Sequence, residues 1–291
     1  MQSIKALSIT PDAREWLTNS RHPRILHVFD HACNLINERR EVSSIVTPKI
    51  GNGPFNLVIE DDVLFSDHLD TQSPIFIRAN QLNLGDLTIN TVNAKLWSPR
   101  PDWERLHAKK DDILSHVMSL SSQSALLAMT LSFTNYQPFD KLRAASPISN
   151  SLISSIATAD IQSSRNSARG LAGLGIGLTP AGDDFILGAV LAAWIIHPPE
   201  IASVLAQKIT NTAVPLTTSL SAAWLKSVGK GEAGILWHEF FDALSLGDSS
   251  AIQLQINKLL SIGHTSGADA LAGFISVFIS FKEHILSPCP S

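Results

Sequence analysis

The spacing of apolar positions in this chain changes about a third of the way along. Up to residue 100 they come in short runs. Arg24–Phe29 and Val42–Thr47 are apolar, β-prone stretches, and the second is closed by Pro48. Gly51-Asn52-Gly53-Pro54 then signals a turn. Asn56–Glu60, Pro74–Ala79 and Leu87–Trp97 read as further strands. In the last of these, Leu87, Ile89, Thr91, Asn93 and Lys95 alternate with Thr88, Asn90, Val92, Ala94 and Leu96, a rough period of two. Short strands divided by Gly, Pro and Asn turns predict an antiparallel sheet or small barrel over residues 1–100.

Trp97-Ser98-Pro99-Arg100-Pro101-Asp102 breaks this pattern: two prolines end the strand and Asp102 can cap a helix. Beyond it the spacing is helical. Trp103–Leu120 carries Leu106, Ile113, Leu114 and Val117, and Gln123–Phe133 follows. Residues 144–169 are rich in Ser and Ala, which suits either a surface linker or closely packed helices. The spacing of Ile148, Leu152, Ile153 and Ile156 favours helices. Thr217–Val228, Ala233–Leu244 and Ser249–Ile262 are three more. The last has Asp248 or Ser249 as N-cap and Gly263 where a left-handed C-cap belongs. The predicted fold class is α+β, a β-rich domain over 1–100 followed by an all-helical domain over 101–291, with a frayed tail at Ser287–Ser291.

Composition narrows the function classes. The chain has 291 residues, 44% of them apolar and only 16% charged, which is ample for a core. A net charge of −4 with scattered Lys and Arg argues against a nucleic-acid surface. Cys33 and Cys289 stand alone, which excludes a disulfide framework or zinc site and suits a reducing compartment. The first residues lack the apolar stretch of a signal peptide. The longest apolar run, Phe185–Ile196, is shorter than the roughly 20 residues a bilayer needs. The expectation is a cytoplasmic protein with neither membrane nor nucleic-acid partners.

The candidate chemistry lies in two glycine-rich loops, each opening a buried helix. The first is Gly173-Leu174-Gly175-Ile176-Gly177-Leu178-Thr179-Pro180-Ala181-Gly182-Asp183-Asp184, followed by Phe185–Ile196. The second is Gly263-His264-Thr265-Ser266-Gly267-Ala268-Asp269, followed by Ala270–Phe281. Side by side they read as one motif used twice. Thr179, Gly182, Asp184 and Gly188 align with Thr265, Gly267, Asp269 and Gly273, with one gap. The first turn of a helix has unsatisfied N–H groups and a partial positive charge, and glycines let a ligand come close. Such a loop is suited to phosphate or carboxylate. Gly175, Gly177, Thr179, Gly182, Thr265, Ser266 and Gly267 are therefore candidate anion binders. Asp183, Asp184, Asp269 and His264 are candidate catalytic groups. Asp183 and Asp184 are also ordinary helix-start residues, or ligands for Mg²⁺, the one cofactor the sequence suggests.

Thr217-Thr218-Ser219-Leu220-Ser221 opens a helix that Gly229-Lys230-Gly231 closes. Capping accounts for most of this, with Thr218 and Ser219 as candidates to face the anion site. No phosphate-binding Gly-x4-Gly-Lys loop and no nucleophile elbow occurs, and the first loop lacks the preceding strand of a dinucleotide fold.

Gly177-Leu178-Thr179-Pro180-Ala181-Gly182-Asp183-Asp184 with Gly263-His264-Thr265-Ser266-Gly267-Ala268-Asp269 resembles the family that includes AllH, a subunit of bacterial oxamate carbamoyltransferase. The intervening hydroxyl run and the layout around Trp97 and Pro99 are similar too, so the resemblance spans nearly the whole chain. It implies work with two further subunits, AllF and AllG, in anaerobic allantoin breakdown. The implied reaction converts oxalurate and phosphate to oxamate and carbamoyl phosphate. Three readings follow: a carbamoyltransferase subunit binding a small anionic substrate; a Mg²⁺-dependent hydrolase or phosphoryl-transfer enzyme using Asp183, Asp184 and Asp269; or a non-catalytic assembly subunit whose glycines serve helix packing.

Overall fold

The computed structural model describes residues 2–121 and 140–286. The expected helix at Gln123–Phe133 and the tail from Ser287 lie outside them. The described residues divide into two compact units, one of 2–99 with 233–235, the other of 100–121, 140–232 and 236–286.

The first unit is a nine-stranded, nearly closed sheet. In chain order it comprises β1 (Gln2–Ile9), α1 (Pro11–Asn19), β2 (Arg24–Val28), β3 (Ala32–Ile36), β4 (Val42–Val46), β5 (Asn56–Ile59), α2 (Phe65–His68), β6 (Ile75–Arg78), β7 (Gln81–Leu84), β8 (Leu87–Asn90) and β9 (Lys95–Leu96). The strand order is β2-β3-β4-β5-β1-β8-β7-β6, with β9 also on β1. The sheet is mixed rather than purely antiparallel: β1 runs parallel to β8 and β9, and β4 parallel to β5. Parallel neighbours cannot be joined by a tight hairpin, and here each parallel pair is separated by a longer excursion of chain.

The central strand, β1, has no clean alternation. Ile4 and Ala6 are buried, a bulge falls between Ala6 and Ser8, and burial resumes at Ile9. One extra residue swaps the two faces of a strand. The bulge also passes β1 from β8, its partner over Gln2–Lys5, to β9, its partner at Ser8–Ile9. The run Leu87–Trp97, expected as one strand, is accordingly two. Asn90 turns its side-chain oxygen to the Val92 N–H at 2.9 Å, and the Ala94 N–H bonds the Thr91 carbonyl at 3.2 Å. Asn closing such a turn on its own backbone is a familiar interruption. Ile4, Ile9, Leu35, Ile45, Leu57, Leu82 and Ile89 are among the residues that fill the core of this unit.

The second unit is helical among its described residues. It holds α3 (Trp103–Ala108), α4 (Lys110–Ser121), α5 (Asp140–Ala157), α6 (Ile161–Leu171), α7 (Ala181–Ile196), α8 (Pro199–Ala213), a 3₁₀ turn (Val214–Leu216), α9 (Ser219–Gly229), α10 (Ile235–Leu246, whose first residue clusters with the other unit), α11 (Ser249–Leu260) and α12 (Ser266–Leu286). Asp102 caps α3 through the Arg105 N–H, and Asp248 caps α11 through Ser250 and Ala251, both as expected. The Ser/Ala-rich stretch is helical, in α5 and α6, rather than a linker. Every residue of α7 except Ala181 and Leu187 is buried, which is why its apolar run shows no polar face. No helix among the described residues is long and apolar enough to cross a membrane.

Candidate functional site

The helices α7 and α12 pack against each other, and each is reached through one of the glycine-rich loops. Both loops follow the same hydrogen-bond scheme. Where α6 ends, the Leu174 N–H returns to the Leu171 carbonyl at 3.0 Å; where α11 ends, Ile262 returns to Leu259 at 3.0 Å. The next helix is then tied back. Gly182 donates to the Leu174 carbonyl at 2.9 Å, and Gly267 to the Ile262 carbonyl at 3.2 Å. One turn on, the Asp184 N–H reaches the Pro180 carbonyl at 3.2 Å and the Asp269 N–H the Thr265 carbonyl at 2.9 Å.

The glycines repeat the correspondence. A Cβ on Gly182 would lie 2.1 Å from the Leu171 carbonyl oxygen, and one on Gly267 1.8 Å from that of Leu259. A Cβ on Gly188 would lie 1.7 Å from the oxygen of Ala270, the residue after Asp269. A Cβ on Gly273 would lie 2.2 Å from the oxygen of Phe185, the residue after Asp184. The repeat read from the sequence is therefore a repeat of backbone geometry, with the helices in reciprocal contact. One detail shifts. The carbonyls of Pro180 and Thr265 play matching parts, so Thr179 stands one position before the counterpart of Thr265.

The three carboxyls have different surroundings. Asp183 is 1% exposed and both its oxygens are engaged. It accepts the Gly173 N–H at 2.9 Å, the Ser221 hydroxyl at 2.8 Å and the Thr217 hydroxyl. Burial pushes this carboxyl up, against the hydrogen bonds from Thr217, Gly173 and Ser221. It joins the start of the first loop to the start of α9.

Asp184 is 9% exposed, and its Oδ2 is buried without a partner. Burial, then the charges of Asp269 and Asp183, push its carboxyl up to about 8, against the Ser266 and Thr179 hydroxyls that approach it. Asp269 also carries a buried, partnerless Oδ2, and burial pushes it up to about 6 against the Thr265 hydroxyl. A buried acceptor left unsatisfied costs about 1–3 kcal/mol, and a proton retained on the carboxyl relieves that cost. Thr179 and Ser266 link the loops directly through their hydroxyls at 2.8 Å.

The remaining candidates sit around this pair. Gly175 (φ +128°) and Gly177 (φ +96°) take conformations open to glycine, and the Gly175–Leu178 stretch is exposed, with Ile176 at 76%. Gly182 and Gly267, expected among the anion binders, turn their N–H groups inward to Leu174 and Ile262. Thr218 caps α9 by accepting the Ser221 N–H at 3.1 Å and donates to the Leu178 carbonyl at 2.5 Å; Ser219 is the first residue of that helix. His264 is exposed in the second turn, outside the hydroxyl and carboxyl contacts described above.

Thr217 and Ser221 are the contacts that sequence reasoning does not single out. The signal is the hydroxyl run itself: Thr217 lies in extended backbone just before the Thr218 N-cap and Ser221 in the first turn of α9. For a metal, the donor set is thin. Both oxygens of Asp183 are committed, and no group of three or more His, Cys, Asp or Glu among the described residues is placed to hold an ion. Mg²⁺ usually takes one or two carboxylates with waters and substrate oxygens, so a Mg²⁺ site here would rest on Asp184 and Asp269, the carboxyls with an unclaimed oxygen.

The chain matches two family models. Residues 171–278 match the oxamate carbamoyltransferase subunit AllH, and residues 5–96 match the AllH family N-terminal domain. No solved structure matches it. The first match opens at Leu171, the carbonyl against which Gly182 packs, and closes at Phe278, so it contains both loops, all of α7 and the first part of α12. The chain therefore belongs to the AllH family, named for a subunit of oxamate carbamoyltransferase.

Proposed function

We infer that this chain is a subunit that holds small anionic substrates for carbamoyl transfer, from oxalurate and phosphate to oxamate and carbamoyl phosphate or a closely related small carboxylate. The supporting observation is the meeting of the two loops at Asp184 and Asp269, whose buried Oδ2 atoms lack donors, beside the bridged hydroxyls of Thr179 and Ser266. In this reading the exposed backbone of Gly175–Leu178 receives the phosphate or carboxylate. A phosphate oxygen attacks the ureido carbon, the bond from that carbon to the oxamate nitrogen breaks, and the nitrogen takes a proton. Asp184, protonated at neutral pH, is the group suited to give it. No covalent nucleophile is required, because such a transfer gains chiefly from positioning and from stabilising charge on the transferred group. AllF-like and AllG-like subunits would complete the enzyme.

A second reading has its own observation. Several first-turn N–H groups of α7 and α12 are satisfied within the chain, and Ile176, Leu178, Leu216 and Ile262 are exposed apolar residues around the loops. Both features suit a subunit whose loops dock a partner without doing chemistry.

Thermal denaturation with phosphate, carbamoyl phosphate, oxamate and Mg²⁺, singly and paired, tests the first reading. A ligand at a hundredfold its dissociation constant adds about 2.7 kcal/mol. We expect a rise in Tm with phosphate or carbamoyl phosphate that Asp184→Asn diminishes. A rise that needs Mg²⁺ would favour the metal reading. No rise with any ligand, together with tight association with the partner subunits, would favour the assembly reading.

A further inference from the structure

We propose that Lys49 is a nucleophilic amine, activated by His31 and Asp62, at which an acyl thioester transfers its acyl group to the protein. The site lies in the first unit, away from the two glycine-rich loops, and does not depend on how those loops are read.

Sheet topology brings its parts together. β3 begins at Ala32, which pairs antiparallel with Val46, the last residue of β4. β5 runs parallel to β4, with Val58 beside Val46. The start of β3 and the ends of β4 and β5 therefore lie at one end of the sheet. His31 precedes β3, Lys49 follows β4 and Asp62 follows β5. Backbone holds the first two: the Thr47 N–H bonds the His31 carbonyl at 3.1 Å, and the Ile50 and Gly51 N–H groups turn back to the Thr47 carbonyl at 3.1 and 3.2 Å.

Lys49 Nζ lies 3.0 Å from His31 Nε2. An ammonium can only donate, so Nε2 accepts and the neutral ring carries its proton on Nδ1. That Nδ1 is buried, and Asp62 Oδ1 stands 3.2 Å from it, off the line of a hydrogen bond. A proton passing from Lys49 to Nε2 thus creates an imidazolium that already faces a carboxylate. The His31 side chain is only 19% exposed, whereas Lys49 is open to solvent, so a reagent reaches the amine before the ring. Other lysines have different partners. Lys5, Lys110 and Lys258 lie against the carboxylates of Glu60, Asp111 and Glu239, and Lys109 donates to the Ser245 carbonyl. Opposite charge favours the ammonium form, while an imidazole exchanges protons near neutral pH and is suited to act as base toward an amine.

The surroundings select the acyl donor. Asp30 and Asp62 are exposed carboxylates beside His31 and disfavour an anionic acyl phosphate. Phe29 and Ile50, exposed in the same two turns, favour an uncharged apolar donor. In the step, the Lys49 amine attacks the thioester carbon and forms the amide bond, and the carbon–sulfur bond breaks with its electron pair going to sulfur. Of the two protons the ammonium loses, one passes through His31 to water and the other leaves on the thiol.

The test incubates the full-length chain with S-acetyl-N-acetylcysteamine, an uncharged thioester, and follows acetylation of each lysine by peptide mass spectrometry. We expect Lys49 to react at least about fivefold faster than Lys5 and Lys95, which are also exposed. His31→Gln keeps a hydrogen-bond acceptor beside Lys49 that cannot take its proton, and should bring Lys49 down to the rate of those two. Asp62→Asn should slow Lys49 at least about twofold. Circular dichroism checks that both variants fold. Acetylation of Lys49 no faster than that of Lys5 and Lys95, or equally fast in the wild type and His31→Gln, would overturn the proposal. Should His31→Gln not fold, an unchanged Lys49 rate in Asp62→Asn would overturn it.

Discussion

The loop that leads into α7 and the loop that leads into α12 are two versions of one structure, and their differences separate packing from chemistry. Both return a chain end to the preceding helix, tie a glycine N–H inward, and place a glycine four residues after an aspartate against the other helix. That shared part is required for the two helices to approach as closely as they do. What differs is that eight positions separate Leu174 from Gly182, against five between Ile262 and Gly267. The longer version carries the left-handed glycines 173, 175 and 177, where the shorter has only Gly263. It also carries Asp183, whose counterpart is Ala268. The extra residues stand exposed, and Asp183 secures their base to α9.

The largest effects should come from breaking what is shared. Gly188→Ala puts a Cβ where the Ala270 carbonyl oxygen already is, and Gly273→Ala does the same at Phe185. Alanine gains about 1 kcal/mol of helix propensity over glycine, but separating two packed backbones costs more. Each substitution should lose about 3 kcal/mol net in chemical denaturation. If either leaves the midpoint unchanged, the close crossing is not what holds α7 to α12.

The next effect concerns the residue that only the longer loop has. Asp183→Ala leaves the Gly173 N–H and the Thr217 and Ser221 hydroxyls without their acceptor and should cost about 2 kcal/mol. It should also raise amide exchange at Gly173 and Leu174. Ala268→Asp, the reciprocal change, should give no stabilisation, because Thr217 and Ser221 at the start of α9 bond Asp183 of the first loop. A gain there would show that the two loops are closer to equivalent than described.

The two orphaned acids are distinguished by the pH dependence of stability. Each carboxyl has a higher pKa folded than unfolded, where Asp titrates near 3.9. The folded state therefore holds protons that the unfolded state has lost, and stability falls as pH rises through the window between those values. For Asp184 the window runs from about 4 to about 8, and for Asp269 from about 4 to about 6. Asp184→Asn should therefore gain on the wild type as pH rises from 5 to 8. Asp269→Asn should gain only up to about 6. Parallel curves for the wild type and both variants would contradict these surroundings.

The smallest effect belongs to the exposed insert. Ile176→Ser should change stability by less than about 0.5 kcal/mol, since the side chain is 76% exposed. A large loss of partner-subunit binding in co-purification would show that the insert docks a protein; unchanged binding leaves the insert free for substrate.

Much of this is legible in the chain itself. Asp102 and Asp248 mark helix starts because capping is a local matter, settled by one side chain and the next turn of backbone. The matched Gly and Asp positions reveal the repeat because only glycine permits those approaches. β1 escapes the pattern because its bulge shifts the buried set from Ile4 and Ala6 to Ile9, which erases the alternation that identifies a strand. Leu87–Trp97 reads as continuous because the turn at Asn90–Ala94 leaves its rough alternation intact. The inward-turned N–H groups of Gly182 and Gly267 are equally hidden, since a free and a satisfied amide read alike in a sequence.

The amino-acid sequence alone determined the order of a β-rich and a helical part, the family, and the two matched loops that open α7 and α12. Those properties follow from periodicity, capping residues and glycine, which act over a few neighbours. Tertiary structure decided what the adjacent Asp183 and Asp184 do. Successive residues on a helix point about 100° apart, so one carboxyl faces Thr217 and Ser221 while the other faces the second loop. Partners brought from 34 and 82 residues away, not the acids themselves, set which carboxyl is bound into the fold and which keeps an unclaimed oxygen.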